Sequence, residues 1–229
     1  MSVIPIQQHP SPNFNDRRNG DHVTILVLHY TGMQSGEAAL ERLCDPAAEV
    51  SAHYLVEEDG RIFQLVDELK RAWHAGVGYW RGERDINSRS IGIEIVNPGH
   101  EFGYRAFPEA QMKAVEVLAA EIVTRHSIAP INVIGHSDLA PLRKEDPGEL
   151  FDWARLARQG VGIWGPADKK ADPTMAEFLA DLEAIGYDME DEPSVIVAFQ
   201  RHWAPRQLHM GGNLATRQAA RGLVNSLLT

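Results

Sequence analysis

Residues 22–31, HVTILVLHYT, restrict the fold of this chain more than any other stretch. The run is almost continuously apolar and of strand length, the pattern of a strand buried on both faces rather than on one. Such a strand needs a covering layer on each side, so the chain must build an α/β core. The segments that follow supply the layers. GEAALERLCDP, 36–46, reads as a short helix stopped by a proline, and AHYLVEEDGRIFQLV, 52–66, as two β-rich runs around the turn Asp59-Gly60. SIGIEIVNPG, 90–99, is a strand closed by Asn97, Pro98 and Gly99, and INVIGH, 131–136, is a last short one. Between them, in residues 108–127, Met112, Val115, Leu118, Ala119 and Ile122 recur at helical spacing behind Pro108, which suits a first turn. The fold class expected is α/β, a mixed central β-sheet flanked by helices over residues 1–165.

The texture then changes. GPADKKADP leads into a linker at 166–173, and no strand pattern follows it. Residues 174–229 carry three apolar stripes of helical spacing: Met175, Phe178, Leu179, Leu182 and Ile185; then Val195, Ile196, Phe199 and Trp203; then Leu214, Leu223, Val224 and Leu227. Gly186 reads as the cap of the first. A small C-terminal three-helix domain is expected, of about 55 residues, near the lower limit for independent folding.

Charge and composition narrow the partners. The formal net charge of -10 argues against nucleic acid, which is bound through clustered Lys and Arg. No apolar run approaches the roughly 20 residues of a membrane span, and nothing points to an obligate protein partner. Cys44 is the single cysteine, which rules out an intrachain disulfide and a thiolate metal cluster. The first twenty residues lack the basic start and apolar stretch of a secretion signal, so a cytoplasmic location is expected, or the cell envelope if the N-terminus is trimmed or misassigned.

Two histidines end predicted strands, His29 and His136, and Asp146 follows in the charged loop RKEDPG. Two histidines and a carboxylate make a three-ligand set of the kind that holds catalytic zinc with a fourth position for water. Spacing alone leaves this open, because hydrogen-bonded histidines and an aspartate starting a turn before proline give the same pattern. Glu94, between Ile93 and Ile95, is either a solvent-facing residue or a carboxylate whose burial raises its pKa and suits it to proton transfer. Lys144 is either an ordinary surface lysine or an ammonium beside Asp146 able to stabilise an oxyanion. The stretch 71–90, RAWHAGVGYWRGERDINSRS, has no periodicity of its own and reads as a loop whose aromatics either bind a ligand or anchor the loop. Arg81, Arg84 and Arg89 are candidate sources of positive charge for an anionic ligand.

Taken in order, LHYTG, SAHYLVEEDGRIFQLV, RAWHAG, SIGIEIVNPG and VIGHSDLAPLRKEDPGELFDW resemble the zinc-dependent N-acetylmuramoyl-L-alanine amidases of the type-2 amidase superfamily, which includes the peptidoglycan recognition proteins. The resemblance runs over roughly residues 10–165 and is closest to the AmiD-like branch. It implies one zinc ion per chain held by His29, His136 and Asp146, with Glu94 as general base and Lys144 as oxyanion stabiliser. It further implies hydrolysis of the amide bond between N-acetylmuramic acid, or its 1,6-anhydro form, and L-alanine, with peptidoglycan fragments or muropeptides as the partners. His53, Trp73, His74 and Asn87 are implied as weaker candidates for substrate contacts. Phage-type relatives carry a tyrosine where this chain has Ala52, which leaves the base role to Glu94. The tail resembles peptidoglycan-binding modules but lacks acidic residues often found in them, consistent with a packing role. The alternative is a non-catalytic peptidoglycan-recognition module, against which the intact set of five residues speaks.

Overall fold

A computed structural model describes residues 5–18, 22–165 and 167–228. The apolar run becomes strand β3, Ile25–Tyr30, near one edge of a six-stranded sheet ordered β1-β5-β4-β7-β3-β8. Its other members are β1 (Ile6–Gln8), β4 (Tyr54–Val56), β5 (Ile62–Gln64), β7 (Ser90–Ile95) and β8 (Val133–Gly135). β4 and β5 are antiparallel, the hairpin expected around Asp59-Gly60, and the remaining pairs are parallel. The sheet is therefore mixed, as the order of strands and helices in the sequence required.

Side-chain alternation sorts the sheet into two faces. Leu26 and Leu28 of β3, with Ile91, Ile93 and Ile95 of β7, pack with Met112, Val115, Leu118, Ala119 and Ile122 of α4 (Glu109–His126). On the opposite face Ile25 and Val27 of β3 and Ile134 of β8 pack with Phe178, Leu182, Val195, Phe199 and Leu223 from the C-terminal helices. Farther along, Leu55 and Phe63 pack with Ala39 and Leu43 of α1 (Gly36–Cys44), a helix capped by the Ser35 side chain. By the same alternation His29, Ser90, Gly92 and Glu94 belong to this second face.

The tail forms α7 (Met175–Ile185), α8 (Glu192–Trp203) and α9 (Leu214–Leu227), with Gly186 closing α7 at φ 135°. These helices share one hydrophobic cluster with the sheet, so the apolar contacts run across the linker expected at 166–173, of which Pro166 lies outside the described residues. Polar groups reinforce the contact. Asp138 of α5 (His136–Leu139) is 1% exposed and accepts from the Tyr187 hydroxyl at 2.7 Å and the Gly135 N–H at 2.8 Å, and its Oδ2 lies 2.7 Å from His202 Nδ1 of α8.

Short elements escaped the sequence reading. β1 lines the sheet edge, β2 (Phe14–Asp16) pairs with β6 (Lys70–Ala72), and α2 (Ile86–Arg89) interrupts the stretch read as a loop. Three or four residues are too few for a period to show. The turns α3 (Gly99–Phe102) and α6 (Trp153–Arg158) complete the chain. Among the described residues no helix is long and apolar enough to cross a membrane.

Candidate metal centre

His29 is the fifth residue of β3 and lies opposite Glu94 of β7 in parallel register, while Leu28 pairs with Gly135, the residue before His136. Both histidines thus leave neighbouring strands at the same end of the sheet. The loop with Asp146 is tied back onto that end. The Ser137 N–H donates to the Asp146 carbonyl at 3.0 Å, and the Tyr104 hydroxyl donates to the Pro147 carbonyl at 2.8 Å. Gly148 follows at φ +86°, and any side chain there would run into the Tyr104 hydroxyl, so only glycine closes this turn without strain.

His29 Nδ1, His136 Nδ1 and Asp146 Oδ2 converge. His29 Nδ1 is 3.0 Å from His136 Nδ1 and 2.9 Å from Asp146 Oδ2, and His136 Nδ1 is 3.1 Å from the same oxygen. The three residues are 1%, 4% and 6% exposed. A tetrahedral zinc ion with ligands at about 2.0–2.2 Å would set its ligand atoms roughly 3.3 Å apart, a few tenths of an ångström from what is observed. The donor chemistry fits too. His136 Nε2 lies 2.9 Å from the Ala75 carbonyl, which can only accept, so in the neutral ring the proton sits there and Nδ1 presents a lone pair.

The electrostatics separate the two carboxylates. Burial alone would raise the Asp146 carboxyl, but its contacts with the His136 and His29 imidazoles outweigh it and hold Asp146 far below the usual range, ionised as a metal-binding carboxylate would be. Glu94 goes the other way: burial, and then the neighbouring Asp146 charge, push its carboxyl well above the ordinary value, with Lys144 pulling weakly back. Its Oε2 is shielded from solvent and has no hydrogen-bond partner. Burial, then the His136 charge, bring His29 down to about 4. A carboxyl group raised toward neutrality beside an ionised one is the arrangement that divides proton transfer from ligation.

Glu94, Lys144, Asp146, His136, Trp73 and His74 line one cavity of about 370 Å³, so the structure brings these expected residues together, with His29 behind them. His53 and Asn87, expected at the substrate, are buried and outside that lining. His53 is fully buried and both ring nitrogens are engaged, Nδ1 by the Gly92 N–H at 3.0 Å and Nε2 by the Lys70 carbonyl and Arg17, each at 3.1 Å. Asn87 stands outside the cavity lining, with its Oδ1 accepting the backbone N–H groups of His74 and Ala75 at 3.1 and 2.9 Å. The arginines expected to attract an anion also lie outside that lining. Arg81 donates to the Ile185 carbonyl at 2.6 Å, Arg84 pairs with Asp188, and Arg89 pairs with Glu83, while Arg42, Arg143 and Lys144 are the cations at the cavity. Arg42 sits on an ordinary helix and Arg143 in a loop, positions that no periodicity singles out. Trp80, by contrast, is 1% exposed and packs edge-on to Tyr187, which makes it an anchor between loop and tail.

Fold and site together define a mixed-sheet α/β protein with a His-His-Asp set at one end of the sheet that could hold a metal ion. The chain belongs to the N-acetylmuramoyl-L-alanine amidase family, whose profile matches residues 19–149. It is 36% identical to N-acetylmuramoyl-L-alanine amidase AmiD of Escherichia coli over 88% of this chain and 82% of that protein. The structure of AmiD in complex with the substrate anhydro-N-acetylmuramic acid-L-Ala-D-γ-Glu-L-Lys superposes with a TM-score of 0.81, covering 89% of each chain. AmpDh3 of Pseudomonas aeruginosa, 32% identical, superposes at 0.84 over 90% of this chain and 93% of its own. The 1,6-anhydro-N-acetylmuramyl-L-alanine amidase AmpD of Citrobacter freundii is 36% identical but covers 64% of this chain.

Proposed function

We propose that this chain hydrolyses the amide bond between the lactyl carbonyl of 1,6-anhydro-N-acetylmuramic acid and L-alanine in muropeptides released during wall turnover. The observation that carries the reading is the placement of Glu94, raised well above its ordinary pKa, in register opposite His29 of the ligand set. Solved complexes of AmiD with an anhydro-muropeptide and of AmpDh3 with an anhydromuramic pentapeptide support this substrate class.

His29, His136 and Asp146 are the residues to hold zinc. Zinc bound there would supply a Lewis acid that polarises the carbonyl and lowers the pKa of a bound water from 15.7 to about 7. Glu94 in its ionised form takes the proton of the attacking water as the new C–O bond forms. Lys144 offers its ammonium to the carbonyl oxygen as negative charge develops, an interaction worth about 3–4 kcal/mol when such a donor is removed. Glu94 then returns the proton to the L-alanine nitrogen as the C–N bond breaks, leaving a lactyl carboxylate and a free stem peptide. Asp146, held ionised, stays out of proton transfer.

The test is release of stem peptide, read by mass spectrometry, from anhydro-muropeptides and from intact peptidoglycan in parallel. Glu94→Gln is expected to lower kcat by about 10² to 10⁴ with stoichiometric zinc retained. Unchanged turnover in that variant would remove Glu94 from the mechanism. Faster release from intact wall than from anhydro-muropeptides would overturn the substrate assignment.

A further inference from the structure

Hydrogen atoms along one chain of contacts can be placed from their partners alone. The Ile86 carbonyl accepts, and the Ser90 hydroxyl donates to it at 2.7 Å, which uses the only proton Ser90 has. Toward His74 Nε2, 3.1 Å away, Ser90 Oγ must therefore accept, so His74 carries its proton on Nε2. A neutral imidazole protonated on Nε2 has a bare Nδ1. That bare nitrogen lies 3.1 Å from His29 Nε2, which must donate to it. His29 is left with a lone pair on Nδ1, the atom aimed at His136 and Asp146.

The second histidine is oriented by the next residue, through the Ala75 carbonyl. Two adjacent residues thus set both imidazoles, one by side chain and one by main chain. They are themselves pinned, because Asn87 Oδ1 accepts both of their N–H groups. Gly92 completes the seat: a Cβ there would lie 2.5 Å from Cγ of the His74 ring, so the ring rests against bare backbone. Neither nitrogen of His74 remains available to a ligand, although the residue lies at the cavity.

We propose that His74, Ala75, Asn87 and Ser90 form a positioning unit that fixes the tautomer and aim of both histidine ligands, so that His74 and Asn87 serve the metal rather than the substrate. This rests on the proposed metal site. Three lone pairs about 3 Å apart repel one another unless a cation lies among them, so energy invested in holding them there is recovered when the ion binds. Partners of this kind typically change metal affinity or activity by about 10- to 100-fold when removed.

The experiment uses the full chain and two readouts that do not depend on turnover: the zinc dissociation constant by chelator competition, and the ring nitrogen shifts of His29 and His136 in ¹⁵N-histidine-labelled metal-free protein. Asn87→Leu and Ser90→Ala are expected to weaken zinc binding about 10-fold or more. Asn87→Asp, which keeps an acceptor for both N–H groups, should remain within about 3-fold of the parent chain, a window set well below that loss. Metal-free parent protein should show both rings protonated on Nε2, with His29 moving to mixed tautomers in Ser90→Ala. Lower melting temperature with unchanged zinc affinity and unchanged tautomers would make the unit merely structural and overturn the proposal. A raised KM for anhydro-muropeptide with unchanged zinc affinity would return His74 and Asn87 to substrate binding and overturn it as well. A parent chain that takes up no zinc would overturn the metal site itself, and is told apart because the parent, not the variants, then fails.

Discussion

Glu94 is partly buried and His53 fully buried, and burial moves them in opposite directions because it penalises whichever form is charged. His53, buried and then opposed by the Arg17 charge, is brought down to about 3. In the unfolded chain it would take up a proton near 6.5, so the stability it contributes is complete above that pH and is lost as pH falls toward 3. Urea unfolding of metal-free protein at pH 7 and pH 5 should show this loss, and His53→Asn should flatten it even at some cost in stability at pH 7. Glu94 predicts an acid limb in kcat/KM above the ordinary glutamate value, since the base works only when ionised. Lys144 pulls that pKa down, so Lys144→Met should move the limb to higher pH while lowering kcat about 10²-fold; pH–rate profiles of the two proteins check both effects. At this scale the meeting of His29, His136 and Asp146 near Glu94 was legible because histidines at strand ends and a carboxylate inside SIGIEI are locally anomalous. The surroundings of His53 and Asn87 were not, since only packing reveals that both His53 ring nitrogens and the Asn87 Oδ1 are already engaged.

The element that bears Asp146, the third proposed ligand, is a loop, and its precision comes from contacts rather than from regular structure. Ser137, Tyr104 and Gly148 pin the backbone on both sides of Asp146. Gly148→Ala would combine a left-handed backbone with a clash against Tyr104, so it should cost more than the 0.4–1 kcal/mol that Gly→Ala gives where the conformation is compatible. Thermal melts should register that loss and chelator competition a weaker hold on zinc. The long elements were readable from period alone, β3 from its unbroken apolar run and α4 from its stripe. Strands β1, β2 and β6 were invisible because three residues cannot establish alternation, and their pairing is decided by the neighbours they meet.

At the scale of the whole molecule, the tail helices close the face of the sheet that also carries the proposed metal site. Phe199 is fully buried where α8 meets that face, and Phe199→Ala should cost about 3–5 kcal/mol, measured by denaturant unfolding. A chain ending at residue 165 would leave Ile25, Val27 and Ile134 uncovered and should bind hydrophobic dyes and aggregate, although AmpD of Citrobacter freundii matches only 64% of this chain. The linker in the sequence concealed this, because a change in texture marks where the chain is extended and not where its contacts stop. The parallel pairing that sets His29 across from Glu94 carries one more consequence. A slip of one residue in either strand would send its polar group to the opposite face and into the apolar layer. Ligand set and base therefore arise from a single alignment, so in a refolded preparation the fraction of chains that take up zinc serves as a direct count of those that have aligned correctly.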